Sequence, residues 1–405
     1  MSDPNHPGSE LSRGATILLA CTVGMMLGLS AIPFYTLGVF AEPVTNATGW
    51  SMAEFQFQFT CVSIGVLAAP IHGLLIDRLD PRKVVLTSIL LFGLAVVLAG
   101  WMAMVSLFAF YASWLVAALV GQSTGPVGWT KFVTGWFDKQ RGLALGIALS
   151  GSGIFAFVGP VVSEVLIAEI GWQQAYMALG AAILAINLPI ALLFLRNPPT
   201  HCAVEKAPAA KFAWRTCLAD FRFALITVAF ALLGFAVSGV ISNLVPILQT
   251  NGIERTSAAA MAGLVGISVL FARIVVGLLL DRFWPPLIAA VSMSLPAISC
   301  LTLAGQFELP IALAIILIGF CAGAEFDILA YLVSRHFPEE AYGRIYSVTY
   351  MAMIAGAGIA PPVFGNNLDR FGDYSQILYV SAAIFVIAPL SLLFLRNPTG
   401  LLRTD

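Results

Sequence analysis

Arg273, Glu325 and Asp327 each interrupt an otherwise apolar stretch of this chain, and their types suggest chemistry. A charge in hydrocarbon costs on the order of several kcal/mol unless it is paired or wetted, so its presence points to a site. An arginine offers a permanent charge and a planar fork matched to a carboxylate, and a carboxyl can hold or release a proton. Arg273 lies seven residues before the end of its apolar run at Leu280, and Glu325 lies eight before Val333. At about 1.5 Å per residue both stand some 10–12 Å inside, at matching depth. Glu325 and Asp327, two residues apart, project about 200° apart around a helix, so one faces a shared cavity and the other a neighbouring helix. Glu325 is the expected cavity residue. The set reads as an anion-binding arginine beside a proton carrier: a substrate carboxylate that occupies Arg273 frees the acid to take up a proton. No Gly-x-x-x-x-Gly-Lys-Ser/Thr and no His-Glu-x-x-His occurs, so the expectation is neither an ATP-driven pump nor an enzyme, with no cofactor and no metal.

The elements that position these charges follow from composition. Of 405 residues 59% are hydrophobic and 10% charged, where a soluble domain carries roughly a quarter charged residues. Twelve apolar runs follow one another, at approximately 15–40, 53–76, 84–104, 107–130, 141–166, 174–195, 221–249, 257–280, 286–305, 309–333, 343–366 and 376–395. Each is long enough to cross a hydrocarbon core of about 30 Å and too long and apolar for a barrel strand, so the chain is expected to be an all-α membrane protein in a lipid bilayer. Of the twenty Lys and Arg, all but Arg255, Arg273 and Arg370 fall on one side of these spans, which places both termini in the cytoplasm and the protein in the cell's inner membrane. The first run is read as a retained span. The six cysteines show no paired spacing and read as small apolar filler. Basic residues gather only where topology demands them, so nucleic acid is not an expected partner.

The heptapeptide LLFLRNP occurs at 192–198 and again at 392–398. It reads as the last turn of a spanning helix: an apolar face, an arginine that snorkels to the headgroups, and Asn-Pro to end the helix. Two copies on one side of the membrane enclose an even number of spans, and six fit. HGLLIDR (72–78) and VGLLLDR (276–282), with GWQQAY (171–176) and GDYSQILY (372–379), keep nearly the same offset. The expected organisation is two six-helix bundles in parallel repeat, 1–195 and 221–405, joined by a cytoplasmic linker at 196–220.

GLLIDRLDPRKVVL (73–86) resembles the loop between spans two and three of the major facilitator superfamily, with Asp80-Pro81-Arg82-Lys83 where that family usually has a Gly-Arg-Arg or Gly-Arg-Lys. WFDKQRGLALGIALSGSGIF (136–155), GWSMAEFQFQFT (49–60) and GFCAGAEFDILAYLVSRHFPEEAYGRIYS (319–347) are similar to the branch of monocarboxylate porters and oxalate/formate-type exchangers. The resemblance implies that Asp77, Arg78 and Arg82, with the copy Asp281 and Arg282, latch neighbouring helices and release them as the transporter rocks. It also implies that the arginine of span eight, Arg273, binds a substrate carboxylate. The chain departs from the animal members at Val269, where they carry an aspartate, and lacks their span-one lysine. Gly142, Gly146, Gly151 and Gly153 are read as close-packing positions.

The N-terminal half has no deep charge. Tyr35, Gln56, Gln58, Gln122, Ser123, Thr124 and Trp129, with Asn243 from span seven, are the groups available for an opposing wall, and Tyr35, Gln122 and Asn243 join Arg273 as expected substrate contacts. His72 reads as solvated or interhelical. The expected function is secondary transport of small organic anions, monocarboxylates first, in symport with protons by alternating access. Anion exchange and efflux of another small molecule are the alternatives within transport, and a non-transporting membrane sensor ranks below them.

Overall fold

The computed structural model describes residues 8–137, 141–197, 220–280, 282–337 and 339–395. Ten helices among them are long and apolar enough to span a bilayer, and the shorter apolar helices Gly14–Met26 and Met52–Ala68 account for the first two runs. The protein is therefore helical throughout its membrane region, as backbone that faces lipid must be.

Contacts divide the chain into two units: Met1–Val204 with Glu254–Gly266, and Glu205–Ile253 with Ile267–Asp405. The expected linker, 196–220, lies outside the described residues except at 196, 197 and 220. The first unit contains α1 (Gly8–Met26), α2 (Ile32–Thr48), α3 (Met52–Gly65), α4 (Ala69–Arg78), α5 (Pro81–Val105), α6 (Leu107–Gly121), α7 (Pro126–Trp136), α8 (Arg141–Ile170), α9 (Trp172–Ala182) and α10 (Leu188–Phe194). Then come α11 (Phe221–Ser242) and α12 (Leu244–Thr250) of the second unit, and α13 (Arg255–Ala262), which returns to the first. The chain crosses to the second unit within α14 (Leu264–Leu280) and completes it with α15 (Pro285–Ser294), α16 (Pro296–Leu303), α17 (Ile311–His336), α18 (Glu339–Phe371) and α19 (Ser375–Ser391).

Polar caps start helices where the apolar runs begin. Ser51 accepts from the Glu54 N–H at 3.2 Å while the Glu54 carboxylate takes the Ser51 N–H at 2.8 Å, a reciprocal box that opens α3. Ser106 accepts from the Ala109 N–H at 3.1 Å to open α6. Span one breaks between α1 and α2, where the Leu29 N–H donates to Thr124 Oγ1 at 3.1 Å and the freed backbone finds a partner. Span seven breaks likewise at Asn243, between α11 and α12.

The two halves repeat in detail. A side chain on Gly151 of α8 would collide with the Thr22 carbonyl of α1, and one on Gly356 of α18, 205 residues on, would collide with the Ala231 carbonyl of α11. Such backbone contact is how helices associate where lipid offers no hydrophobic drive. Gly146, by contrast, has open space around it. Gly171 and Gly372 adopt φ of 84° and 76° at equivalent turns, a conformation that glycine takes without steric cost. Both copies of LLFLRNP leave their helix at the same residue: Leu195 and Leu395 are extended at the backbone and fully buried.

Candidate functional site

Span eight and span ten meet backbone to backbone. A Cβ on Gly323 of α17 would lie 2.5 Å from the Val269 carbonyl oxygen and 2.9 Å from Ala272 Cβ of α14. Ser268, the residue before Val269, donates its hydroxyl to the carbonyl of Ile316, two turns before Gly323, at 2.5 Å. Val269 therefore has a packing role where the animal members of the resembled branch carry a charge. This crossing sets the depth register of the charged residues next along each helix. Arg273 emerges just beyond on α14 and Glu325 and Asp327 just beyond on α17, and the guanidinium charge acts on both carboxylates.

The two acids differ in their surroundings. Glu325 is 7% exposed, and its Oε2 has no hydrogen-bond partner among the described residues. Asp327 and Arg273 are half-buried. Tyr350 of α18 and Cys321, one turn back on α17, stand close enough to Glu325 to feel its charge. Tyr350 is held from two sides, its ring 6.0 Å from both Tyr346 and Phe326. A buried carboxyl oxygen with no partner leaves a large desolvation cost standing, which a proton or an incoming ligand group would relieve.

The other expected site residues lie apart from this group along the chain. Asn243 is fully buried at the break of span seven, where its amide donates to the Gly239 carbonyl at 2.9 Å and accepts from the Tyr374 hydroxyl at 3.2 Å. Its polar groups hold the helix break together. Tyr35 is half-buried, its ring edge-on to Phe34 at 4.9 Å. Gln122 is 6% exposed in the short turn between α6 and α7, with Nε2 unpartnered among the described residues. His72 is interhelical: Nδ1 lies 2.7 Å from Ser123 Oγ and Nε2 2.8 Å from the Leu119 carbonyl.

Of the expected latch, the Asp77 side chain and Asp281 lie outside the described residues, and Arg78 and Arg282 are exposed. Arg82 is engaged within the first unit. Its Nη2 donates to the Leu192 carbonyl at the end of α10 at 2.6 Å, and its backbone N–H reaches Asp80 Oδ1 at 3.0 Å and Asn197 Oδ1 at 3.1 Å. Asn197 Nδ2 in turn donates to Asp80 Oδ1 at 2.9 Å, and this hydrogen bond holds the Asp80 carboxyl below its ordinary value. The Asn of the repeated heptapeptide thus fastens span six to the loop before span three, a role that sequence reasoning missed. The departure Asp80-Pro81 was its visible signal, since Asp80 also caps α5.

Apolar helices in two repeated six-span bundles define a polytopic helical membrane protein. The model of the Major Facilitator Superfamily matches residues 18–361, and the chain belongs to that family. It is 25% identical, over 92% of its length and 94% of the relative's, to a probable sulfoacetate transporter of Cupriavidus necator. It is 27% identical, over 90% of its length and 86% of the relative's, to monocarboxylate transporter 13 of Rattus norvegicus. Among solved structures it superposes on a nucleoside transporter at TM-score 0.76 and 14% identity, covering 93% of this chain and 99% of that one. It also superposes on a D-xylose-proton symporter at TM-score 0.73 and 14% identity, covering 93% of this chain and 97% of that one. These likenesses show the fold.

Proposed function

We propose that this protein is a proton-coupled symporter of small organic anions, monocarboxylates first, that works by alternating access in the cell's inner membrane with both termini cytoplasmic. The observation that carries the proposal is the grouping of Arg273 with a buried acid that has an unpartnered oxygen, Glu325, and a second acid, Asp327, in one unit. The guanidinium receives the substrate carboxylate through parallel N–H donations. Once its charge is drawn to the substrate, Arg273 compensates Glu325 and Asp327 less, and a proton taken up by one of them restores neutrality before the loaded carrier turns over. Proton and anion then cross together, and neither crosses well alone. Relatives whose names specify sulfoacetate and monocarboxylates, both small carboxylates, support the substrate class.

Uptake of labelled carboxylates into proteoliposomes, with and without an imposed inward proton gradient, tests the proposal. Accumulation driven by the gradient is the expected result. Uptake that appears only after the vesicles are preloaded with an anion makes the protein an exchanger and leaves the acids as fixed partners of Arg273.

A further inference from the structure

The segment that ends both halves does not bury the same face in both. In span six Asn187, Ala191 and Leu195 are fully buried, while Leu192 is 47% exposed. In span twelve Leu392 is fully buried, and Ile387, the counterpart of Asn187, is 65% exposed. Burial thus follows 187 and 191 in one copy and 388 and 392 in the other, one residue out of step. One residue is about 100° around an α-helix, so the same sequence stands in two rotational settings.

The backbone supplies the step. Span six runs as one helix from Trp172 to Phe194, but between α9 and α10 it contains a π-turn, Ile183–Asn187, in which the Leu188 N–H donates to the Ile183 carbonyl five residues back. Such a turn takes in one residue more than the α-helix around it, and π-turns gather at functional sites. Pro189 alone does not account for it, because Pro389 lies at the same place within α19, which has no π-turn.

The turn leaves a cost standing. Neither Oδ1 nor Nδ2 of the fully buried Asn187 has a hydrogen-bond partner among the described residues, and a buried amide in that condition keeps its desolvation penalty. Above the turn, α9 is seated on α5: a Cβ on Gly180 would lie 2.6 Å from the Val97 nitrogen and 2.8 Å from the Gly93 carbonyl oxygen. Below it, α10 is held by polar ties at the surface, the Arg82 guanidinium on the Leu192 carbonyl and Asn197 on Asp80 and the Arg82 N–H.

We propose that the foot of span six is a two-register joint that works during transport. In one register the π-turn is present, Asn187 is buried and unpaired, and Arg82 and Asn197 hold α10. In the other the turn closes to α-helix, with the Leu188 N–H on the Leu184 carbonyl. Closure carries α10 round by about 100° and along by about 1.5 Å. Leu192 then takes the buried setting of Leu392, and Asn187 leaves its unpaired burial for the setting of Ile387. Span six is the last helix before the chain passes to the second unit at Glu205, so the joint lets this exit turn while α9 keeps its seat.

Hydrogen exchange of the full chain in detergent, read on peptides covering 183–190 and 383–390, tests the joint, with span twelve as the internal standard. The span-six peptide should exchange roughly ten-fold faster, as a segment that opens locally to relieve an unpaired buried group does. Deleting Ala185 removes the extra residue, and should bring exchange down to the level of span twelve and slow carboxylate uptake into proteoliposomes. Asn197→Ala loosens the foot and should raise exchange. A span-six peptide as protected as its counterpart overturns the proposal, as does a deletion that leaves uptake at the parental rate. If the deletion does not fold, Asn197→Ala and Arg82→Lys decide, since both lie at the surface: exchange unchanged in both counts against the joint. Absence of uptake in the parent itself removes the transport reading, and exchange still judges the two registers.

Discussion

Gly323 lies against Val269, four residues ahead of Arg273 on one helix and two ahead of Glu325 on the other. A side chain at 323 would press on the Val269 carbonyl at 2.5 Å. The registration of arginine and acid therefore depends on a position that has no side chain.

Gly323→Val should separate α14 from α17 by a few tenths of an ångström or more and weaken transport with Arg273 and Glu325 intact. Overpacking of this kind costs about 1–3 kcal/mol. A fall in thermal midpoint accompanied by a lower transport rate is expected; full transport in Gly323→Val would show that the crossing does not set the site.

Arg273→Ala should abolish saturable carboxylate uptake and leave the protein folded. Arg273→Lys keeps the charge but not the fork. Hydrogen bonds to charged groups contribute about 1.5–3 kcal/mol, so its KM should rise roughly ten-fold or more. Uptake by Arg273→Ala with parental KM removes this residue from the site.

The two acids make a discriminating pair. Glu325→Gln should retain substrate exchange across the membrane while losing accumulation driven by a proton gradient, because the amide fills the same space and carries no titratable proton. Asp327→Asn should keep accumulation. The opposite pattern would assign the proton to the more exposed acid.

Much of this was legible in the sequence, for a physical reason: lipid leaves the backbone few choices, so long apolar runs translate directly into spans. The repeated LLFLRNP and the paired turns at Gly171 and Gly372 marked the two halves before any helix was placed. The helix breaks were not legible, since hydrophobicity runs unbroken through Gly28 and through Asn243 while the backbone does not. Nor was the rotation of α17, which leaves Glu325 buried and Asp327 half-buried, because it depends on which face Gly323 offers to α14. Partnerships across long stretches of chain escaped for the same reason. Asn197 and Asp80 are 117 residues apart, and Arg255 and Glu164 are 91 apart.

The contact between Asn197 and Asp80 carries its own pH signature. Asn197 donates to the carboxylate, and the N–H groups of Lys83 and Arg82 add to it, so Asp80 titrates below its ordinary value of 3.8 in the folded protein. A carboxyl depressed by folding stabilises the native state above its unfolded pKa, and that contribution is lost as pH falls through the lower, folded value. At neutral pH Asn197→Ala should therefore lower the thermal midpoint, and Asp80→Asn should lower it in the parent but scarcely further in Asn197→Ala. As the pH is brought below 3.8 the parent and Asn197→Ala should converge. The contact lies on the surface, where charged contacts contribute little, about 0–1 kcal/mol, so the shift is small and its pH dependence is the diagnostic. A difference that persists unchanged into acid would mean that Asn197 acts through the Arg82 N–H alone and not through the Asp80 charge.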